Sequence, residues 1–175
     1  SVEGRSSLCI VELDRGRNKD ANLEALRELK DENPHDPIVL WMFGVQGRTF
    51  NLYAEGAETY ERLLTMMKVG PVLVHQTYAN ILSEGLGAHE KALPHRELAV
   101  KLEPAGWSYQ GLGNTLTSLG RYEEADRAFQ KCVDLDPHDS AYWASWGNCL
   151  RRWERYEEAI VKYRKAVNFD DENDD

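Results

Sequence analysis

Residues 106–137 read GWSYQGLGNTLTSLGRYEEADRAFQKCVDLDP, and residues 140–171 read SAYWASWGNCLRRWERYEEAIVKYRKAVNFDD. Laid over each other with a shift of 34, both carry Tyr-Glu-Glu-Ala (residues 122–125 and 156–159) and a glycine, Gly113 and Gly147. Within the second stretch Trp143, Trp146, Gly147 and Leu150 fall at i, i+3, i+4 and i+7, one face of an α-helix. Ala159, Tyr163 and Ala166 fall at i, i+4 and i+7 of a second helix. The polar stretch Arg151 to Arg155 separates them, and Glu157 and Glu158 place negative charge at the second helix's N-terminal end, where the helix dipole favours it. Each period therefore reads as two antiparallel helices. Such a pair cannot bury its apolar faces alone, and stacking on neighbouring pairs supplies the missing surface.

The punctuation carries the period outward. Prolines 34, 71, 104 and 137 stand at intervals of 37, 33 and 33, and proline stops a helix because it lacks an N–H and clashes with the preceding turn. Asp136-Pro137-His138-Asp139 echoes Asn33-Pro34-His35-Asp36. Five periods of 34 fit within the 175 residues. The units are placed at 1–36, 37–71, 72–105, 106–139 and 140–173, all in one domain. The 37-residue interval implies an insertion of about three residues in the second unit, and one extra residue is expected near Gly85 in the third. Residues 1–14 are open between strand and helix. A helix is favoured, because Ala21 to Lys30 is helical and needs a partner. Residues 170–175 form an acidic tail that is expected to fray.

Composition narrows the class. With 42% hydrophobic and 29% charged residues the chain is globular rather than disordered. A net charge of −9 argues against a generic nucleic-acid binder, which needs clustered Lys and Arg. Five acids lie in the last six residues, and without them the charge is only −4. The longest apolar run, Pro37 to Val45, is far short of a bilayer span, so no membrane association is expected. There is no initiator Met and no leader pattern, and the chain reads as a mature or excised fragment of something longer. Cys9, Cys132 and Cys149 are an odd count without paired spacing, which points to a reducing compartment such as the cytoplasm.

The repeat resembles the tetratricopeptide repeat family. Residues 106–139 match through Tyr109, Leu112, Gly113, Leu116, Ala125, Phe129, Cys132 and Pro137. Residues 140–173 match through Trp143, Trp146, Gly147, Leu150, Ala159, Tyr163 and Ala166, with Asp171 where proline would stand. Residues 72–105 keep Tyr78, Ala79, Leu82, Gly87, Ala92, Ala99 and Pro104. Residues 37–71 keep Leu40, Phe43, Gly44, Ala57, Leu64 and Pro71. The first unit keeps Leu8, Cys9, Gly16, Ala21 and Ala25, and ends at Pro34. The small residues Gly44, Ala79, Gly113 and Gly147 would let two helix backbones approach closely.

The resemblance implies an all-α fold, a right-handed α-solenoid of stacked antiparallel helix pairs whose first helices line a concave groove. It also implies a protein or extended peptide segment as partner. Position 9 of each unit faces that groove in the family. Carried over, it gives Val45, Asn80, Asn114 and Asn148, and a carboxamide both donates to and accepts from a peptide backbone. The competing reading is that these asparagines bond within the repeat or face water. Position 5 gives Trp41, Gln76, Gln110 and Ala144, and position 2 gives Ile38, Leu73, Trp107 and Ala141. Trp41 and Trp107 would stack on ligand side chains, while Trp41 is equally readable as core. Trp143 and Trp146 read as core. Positions 12 and 13 bring Arg151 and Arg152, either anion ligands or a solvated helix end that complements the dipole. No position 5 carries the Lys of the subclass that clamps chaperone-tail carboxylates, so that role is not expected.

No catalytic constellation emerges, and neither an enzyme nor a cofactor is expected. His35, His75, His89, His95 and His138 are scattered, and His89 and His95 are six apart, off the i, i+4 face of a helical metal pair. No metal site is expected. Gly44-x-x-Gly47 and Gly85-x-Gly87 lack the strand, Lys and helix of a phosphate loop. Cys132 stands where the repeat packs a small residue and reads as a buried, inert thiol. The expected function is a non-catalytic interaction module. The alternative is a regulatory or self-associating scaffold domain of a larger protein, docking through an uncapped C-terminal face.

Overall fold

The computed structural model describes residues 19–67 and 70–171. The expectations for residues 1–14, for Cys9 and for the last four residues of the acidic tail lie outside the described residues. Nine α-helices are described: α1 (Lys19–Glu32), α2 (Pro37–Thr49), α3 (Tyr53–Met66), α4 (Val72–Asn80), α5 (His89–Leu102), α6 (Gly106–Ser118), α7 (Tyr122–Leu135), α8 (Ser140–Arg152) and α9 (Tyr156–Asp171). Among the described residues there is no strand. The chain divides into two compact units, Ser1–Gly70 and Pro71–Asp175.

In the N-terminal unit, Asp36 starts α2 by accepting from the backbone N–H of Ile38 and Val39 at 2.8 and 3.3 Å, with Pro37 at the first helical position. The core joins Leu26 and Leu29 of α1 to Val39, Met42 and Phe43 of α2, with Trp41 and Leu52 packed against it. Arg27 of α1 pairs with Glu55 of α3 at 2.6 Å. Gly44 lies so close under the ring of the fully buried Tyr60 that any Cβ there would overlap it.

In the C-terminal unit the helices pair as α4 with α5, α6 with α7 and α8 with α9, and each pair packs on the next. The close approaches read from the small residues are present. A Cβ on Gly113 would stand 2.8 Å from the Phe129 ring, and one on Gly147 would stand 2.6 Å from the Tyr163 ring. Each glycine thus faces an aromatic residue sixteen positions on, in the partner helix. The larger core gathers Leu116, Phe129, Cys132, Trp143, Trp146, Cys149 and Leu150. Trp146 donates to Asp126 at 2.7 Å, which ties α8 to α7 across the repeat boundary, and Trp143 donates to the carbonyl of Pro137 at 2.7 Å.

The prolines mark the period less faithfully than the helix caps do. The N-cap residues of α2, α4, α6 and α8 are Asp36, Pro71, Ala105 and Asp139. Pro34 and Pro137 precede their caps by two residues and Pro104 by one, while Pro71 is itself the cap. Cap spacing is therefore 35, 34 and 34, and the second unit exceeds the 34-residue period by one residue rather than three. The extra residue near Gly85 is absorbed inside the helix, where Ile81–Gly85 forms a π-helical turn that continues α4. The turn between paired helices needs a left-handed residue each time. It is supplied by Asn51 (φ 58°), Gly87 (61°), Gly120 (74°) and Glu154 (63°).

Candidate functional site

Asn80, Asn114 and Asn148 are each the ninth residue of α4, α6 and α8. Their surroundings differ, and the difference has one cause. Four residues after Ala92, Ala125 and Ala159 in the paired helices stand Arg96, Phe129 and Tyr163. Nη2 of Arg96 donates to Oδ1 of Asn80 at 2.6 Å, and the Tyr163 hydroxyl donates to Oδ1 of Asn148 at 2.9 Å. Phe129 has nothing to donate. Asn114 is exposed and makes no side-chain hydrogen bond among the described residues. Two carboxamides therefore have an oxygen already engaged and offer chiefly their NH2 group. The middle one keeps both capacities.

Arg96 is only 6% exposed and occupies the place that an aromatic residue fills in the next two repeats. Its guanidinium lies beneath Gly111 of α6, where a Cβ would stand 2.8 Å from Nη1. The signal was legible in the sequence as the missing aromatic after Ala92.

Gln110 reaches across from α6 to α8 and donates to Ser145 Oγ at 3.0 Å and to the Ala141 carbonyl at 3.4 Å. It therefore joins two first helices of neighbouring pairs. Gln76 and Trp107 are half-buried on α4 and α6. Arg151 and Arg152 end α8, three and four residues beyond Asn148, both exposed and neither ion-paired among the described residues. Arg155, by contrast, is committed to Glu158 through an Nε–Oε1 contact of 2.6 Å. Trp41 belongs to the N-terminal unit, half-buried against its core. Trp143 and Trp146 are buried and stacked at 5.7 Å, with Lys162 lying 3.1 Å from the Trp146 ring centroid.

Two open clefts lie off this row. A cleft of about 350 Å³ between α5, α6 and α7 is lined by Tyr109, Leu112 and Leu116, with Glu97, Glu124, Arg127 and Lys131 around it. A second, of about 280 Å³, is lined by Ile160, Tyr163 and Val167 of α9.

The two described thiols are buried. Cys132 is fully buried, donates to the Gly106 carbonyl at 3.3 Å, and burial pushes its pKa up to about 12. Burial raises the Cys149 thiol as well. Among the described residues no three His, Cys, Asp or Glu side chains gather as a metal cage. No described helix is long and apolar enough to cross a membrane.

A tetratricopeptide repeat family model matches residues 108–139. The small glutamine-rich tetratricopeptide repeat-containing protein 2 of Mycosarcoma maydis is 34% identical over 86 residues. That match covers 49% of this chain, and the chain spans 24% of the relative. Among solved structures, MamA (41-end) from Desulfovibrio magneticus RS-1 superposes with a TM-score of 0.86 at 21% identity, over 99% of this chain and 97% of that one. YrrB, titled a TPR protein with an unusual peptide-binding site, superposes at 0.77 with 16% identity, over 97% and 86%. At these identities the structural matches carry the fold, an α-solenoid of helix pairs.

Proposed function

We propose that this chain, a tetratricopeptide-repeat protein, is a non-catalytic interaction module that receives an extended peptide or protein segment along the asparagine row of its C-terminal unit. The observation that supports this reading is the pair Asn114 and Asn148. Both are exposed at the same helical position of neighbouring first helices, and Arg151 and Arg152, three and four residues beyond Asn148, are exposed and not ion-paired among the described residues. A carboxamide with a free NH2 group takes a backbone carbonyl whatever the side chains, and exposed guanidinium groups favour a carboxylate on the ligand. The reading thus favours an extended segment with an acidic residue at the α8 end. Panning a random peptide library on the chain, then measuring the selected peptide against Asn114→Ala and Asn148→Ala, tests it. Full affinity in both variants, with helicity unchanged, would exclude the row.

A second reading has its own observation. On α7 the first-turn Tyr122 stacks on Trp153 of the next repeat at 6.0 Å, and Val133 is buried. The residues 34 positions later on α9, Tyr156 and Val167, are 56% and 59% exposed, with Ile160 at 51% between them. A face that is covered in one repeat stands open in the next. Self-association through α9 would cover it, and sedimentation velocity across a concentration series with Ile160→Lys reports whether it does.

A further inference from the structure

His75 of α4 and His95 of α5 bring their Nδ1 atoms to 3.0 Å, with ring centroids 5.3 Å apart and nearly parallel. Tyr78 meets His95 edge-on at 4.8 Å. At this distance a single hydrogen lies between the two nitrogens, so one ring donates and the other accepts. The burial pattern decides which. His75 is 6% exposed, and its Nε2 is buried with no hydrogen-bond partner. An orphaned N–H costs more than an orphaned lone pair. His75 therefore carries its hydrogen on Nδ1 and donates to Nδ1 of His95, whose own hydrogen sits on Nε2.

We propose that the His75–His95 pair is an acid-sensitive latch between α4 and α5, closed while both rings are neutral and released when the pair takes up a proton. An added proton has two places to go. On Nδ1 of His95 it sets two hydrogens facing each other across 3.0 Å. On Nε2 of His75 it creates a buried cation whose N–H has no acceptor. The first outcome removes the hydrogen bond; the second leaves it in place but charges a buried ring whose new N–H is unsatisfied, so both raise the cost of keeping α4 and α5 together.

The surroundings offer no charge to stabilise an imidazolium. On α4 the titratable neighbour is Tyr78. On α5, Glu90, Lys91, Glu97 and Lys101 are exposed, and Arg96 turns to Asn80. Glu84 of the π turn is exposed. Helix α6 contributes Tyr109 and no charged side chain. Consistent with this, burial holds both histidines below the usual 6.5, and the charge of His75 lowers His95 further. Both depressed groups bind protons more readily in the unfolded chain. Their contribution to stability is therefore complete above pH 6.5 and is lost as pH falls through their folded values.

The segment is built to give. The π turn Ile81–Gly85 interrupts the helix after α4, and Pro94, immediately before His95, removes one backbone donor from α5. Arg96, immediately after His95, is the donor that fixes Asn80. Release of α5 would withdraw that donor and alter one member of the asparagine row. This last step rests on the groove reading, whereas the latch itself does not.

Nitrogen-15 NMR of the full chain between pH 7.5 and 5 tests the latch directly. The expected spectrum has His75 as the Nδ1–H tautomer, coupled through a hydrogen bond to His95, with both titrating below 6.5. Amide exchange corrected for intrinsic rates should accelerate at least several-fold in α4 and α5 on acidification, relative to α8 and α9, and His95→Gln should abolish that difference. Two uncoupled Nε2–H rings, or identical acid response in all helices, would overturn the proposal. If the Gln variant does not fold, the tautomers of the wild-type chain decide alone. Binding of a library-selected peptide, followed over the same pH range, separates the two layers. Affinity that does not change while exchange responds to acid overturns only the link to Asn80.

Discussion

Arg96 holds Asn80 by a 2.6 Å hydrogen bond, from the helical position at which Tyr163 holds Asn148 and at which Phe129 leaves Asn114 free. One position in the second helix of a pair thus sets the hydrogen-bonding character of the asparagine opposite. Three carboxamides identical in sequence become two chiefly donating groups and one that both donates and accepts.

Removing a pin should therefore be felt locally. Tyr163→Phe deletes the donor but keeps the ring against Gly147. We expect a stability loss of about 0.5–1.5 kcal/mol, the usual worth of one hydrogen bond, read by urea denaturation. Arg96→Leu also leaves a half-buried carboxamide oxygen unpaired and should cost about 1–3 kcal/mol. A larger loss for Tyr163→Phe than for Arg96→Leu would contradict this assignment.

The glycine–aromatic contacts are steric. Gly113→Ala places a Cβ 2.8 Å from the Phe129 ring, which is fully buried and has nowhere to retreat. Overpacking of this kind costs about 1–3 kcal/mol. The same change at Gly87, whose Cβ would meet nothing within 4 Å, is strained only by its φ of 61°. Thermal melts of the two variants should rank Gly113→Ala as the more damaging.

Glu154 carries a left-handed backbone (φ 63°) in the turn position that Gly120 fills one repeat earlier. Left-handed geometry costs a side-chain-bearing residue about 1–2 kcal/mol, offset in part by glycine's greater unfolded entropy. Glu154→Gly should stabilise the chain by about 0.5–1 kcal/mol, read as a raised melting temperature.

The thiol of Cys132, with its pKa pushed up to about 12, should stay protonated at pH 8 and react with iodoacetamide only as the chain unfolds. Peptide-level mass spectrometry over a urea series checks this. Labelling of Cys132 at the native plateau would mean that its repeat opens without global unfolding.

Much of the fold could be read from the residues because the period is repeated physics. Gly113 and Gly147 mark the same close approach, and Ala125 and Ala159 the same helix face. The buried indoles of Trp143 and Trp146 followed from their spacing. The prolines misled where proline does two jobs. Pro71 caps a helix, whereas Pro34 and Pro137 only precede the capping aspartates, so intervals between prolines mix different positions. The asparagine row was legible as positions, but its differing engagement was not. That depends on the partner helix, and the departure at Arg96 shows in sequence only as an aromatic that is missing. The His75–His95 contact was out of reach for a different reason. The two residues are twenty apart on separate helices, and the extra residue near Gly85 marked an insertion without showing that a π turn would take it up.

The central claim, that the asparagine row is the binding surface, is tested most directly by titrating a library-selected peptide into the wild-type chain, Asn114→Ala and Asn148→Ala by fluorescence anisotropy, with circular dichroism on each. The account predicts a loss of about tenfold or more in affinity for each variant, equivalent to about 1.4 kcal/mol, at unchanged helicity. Wild-type affinity in both variants would contradict it.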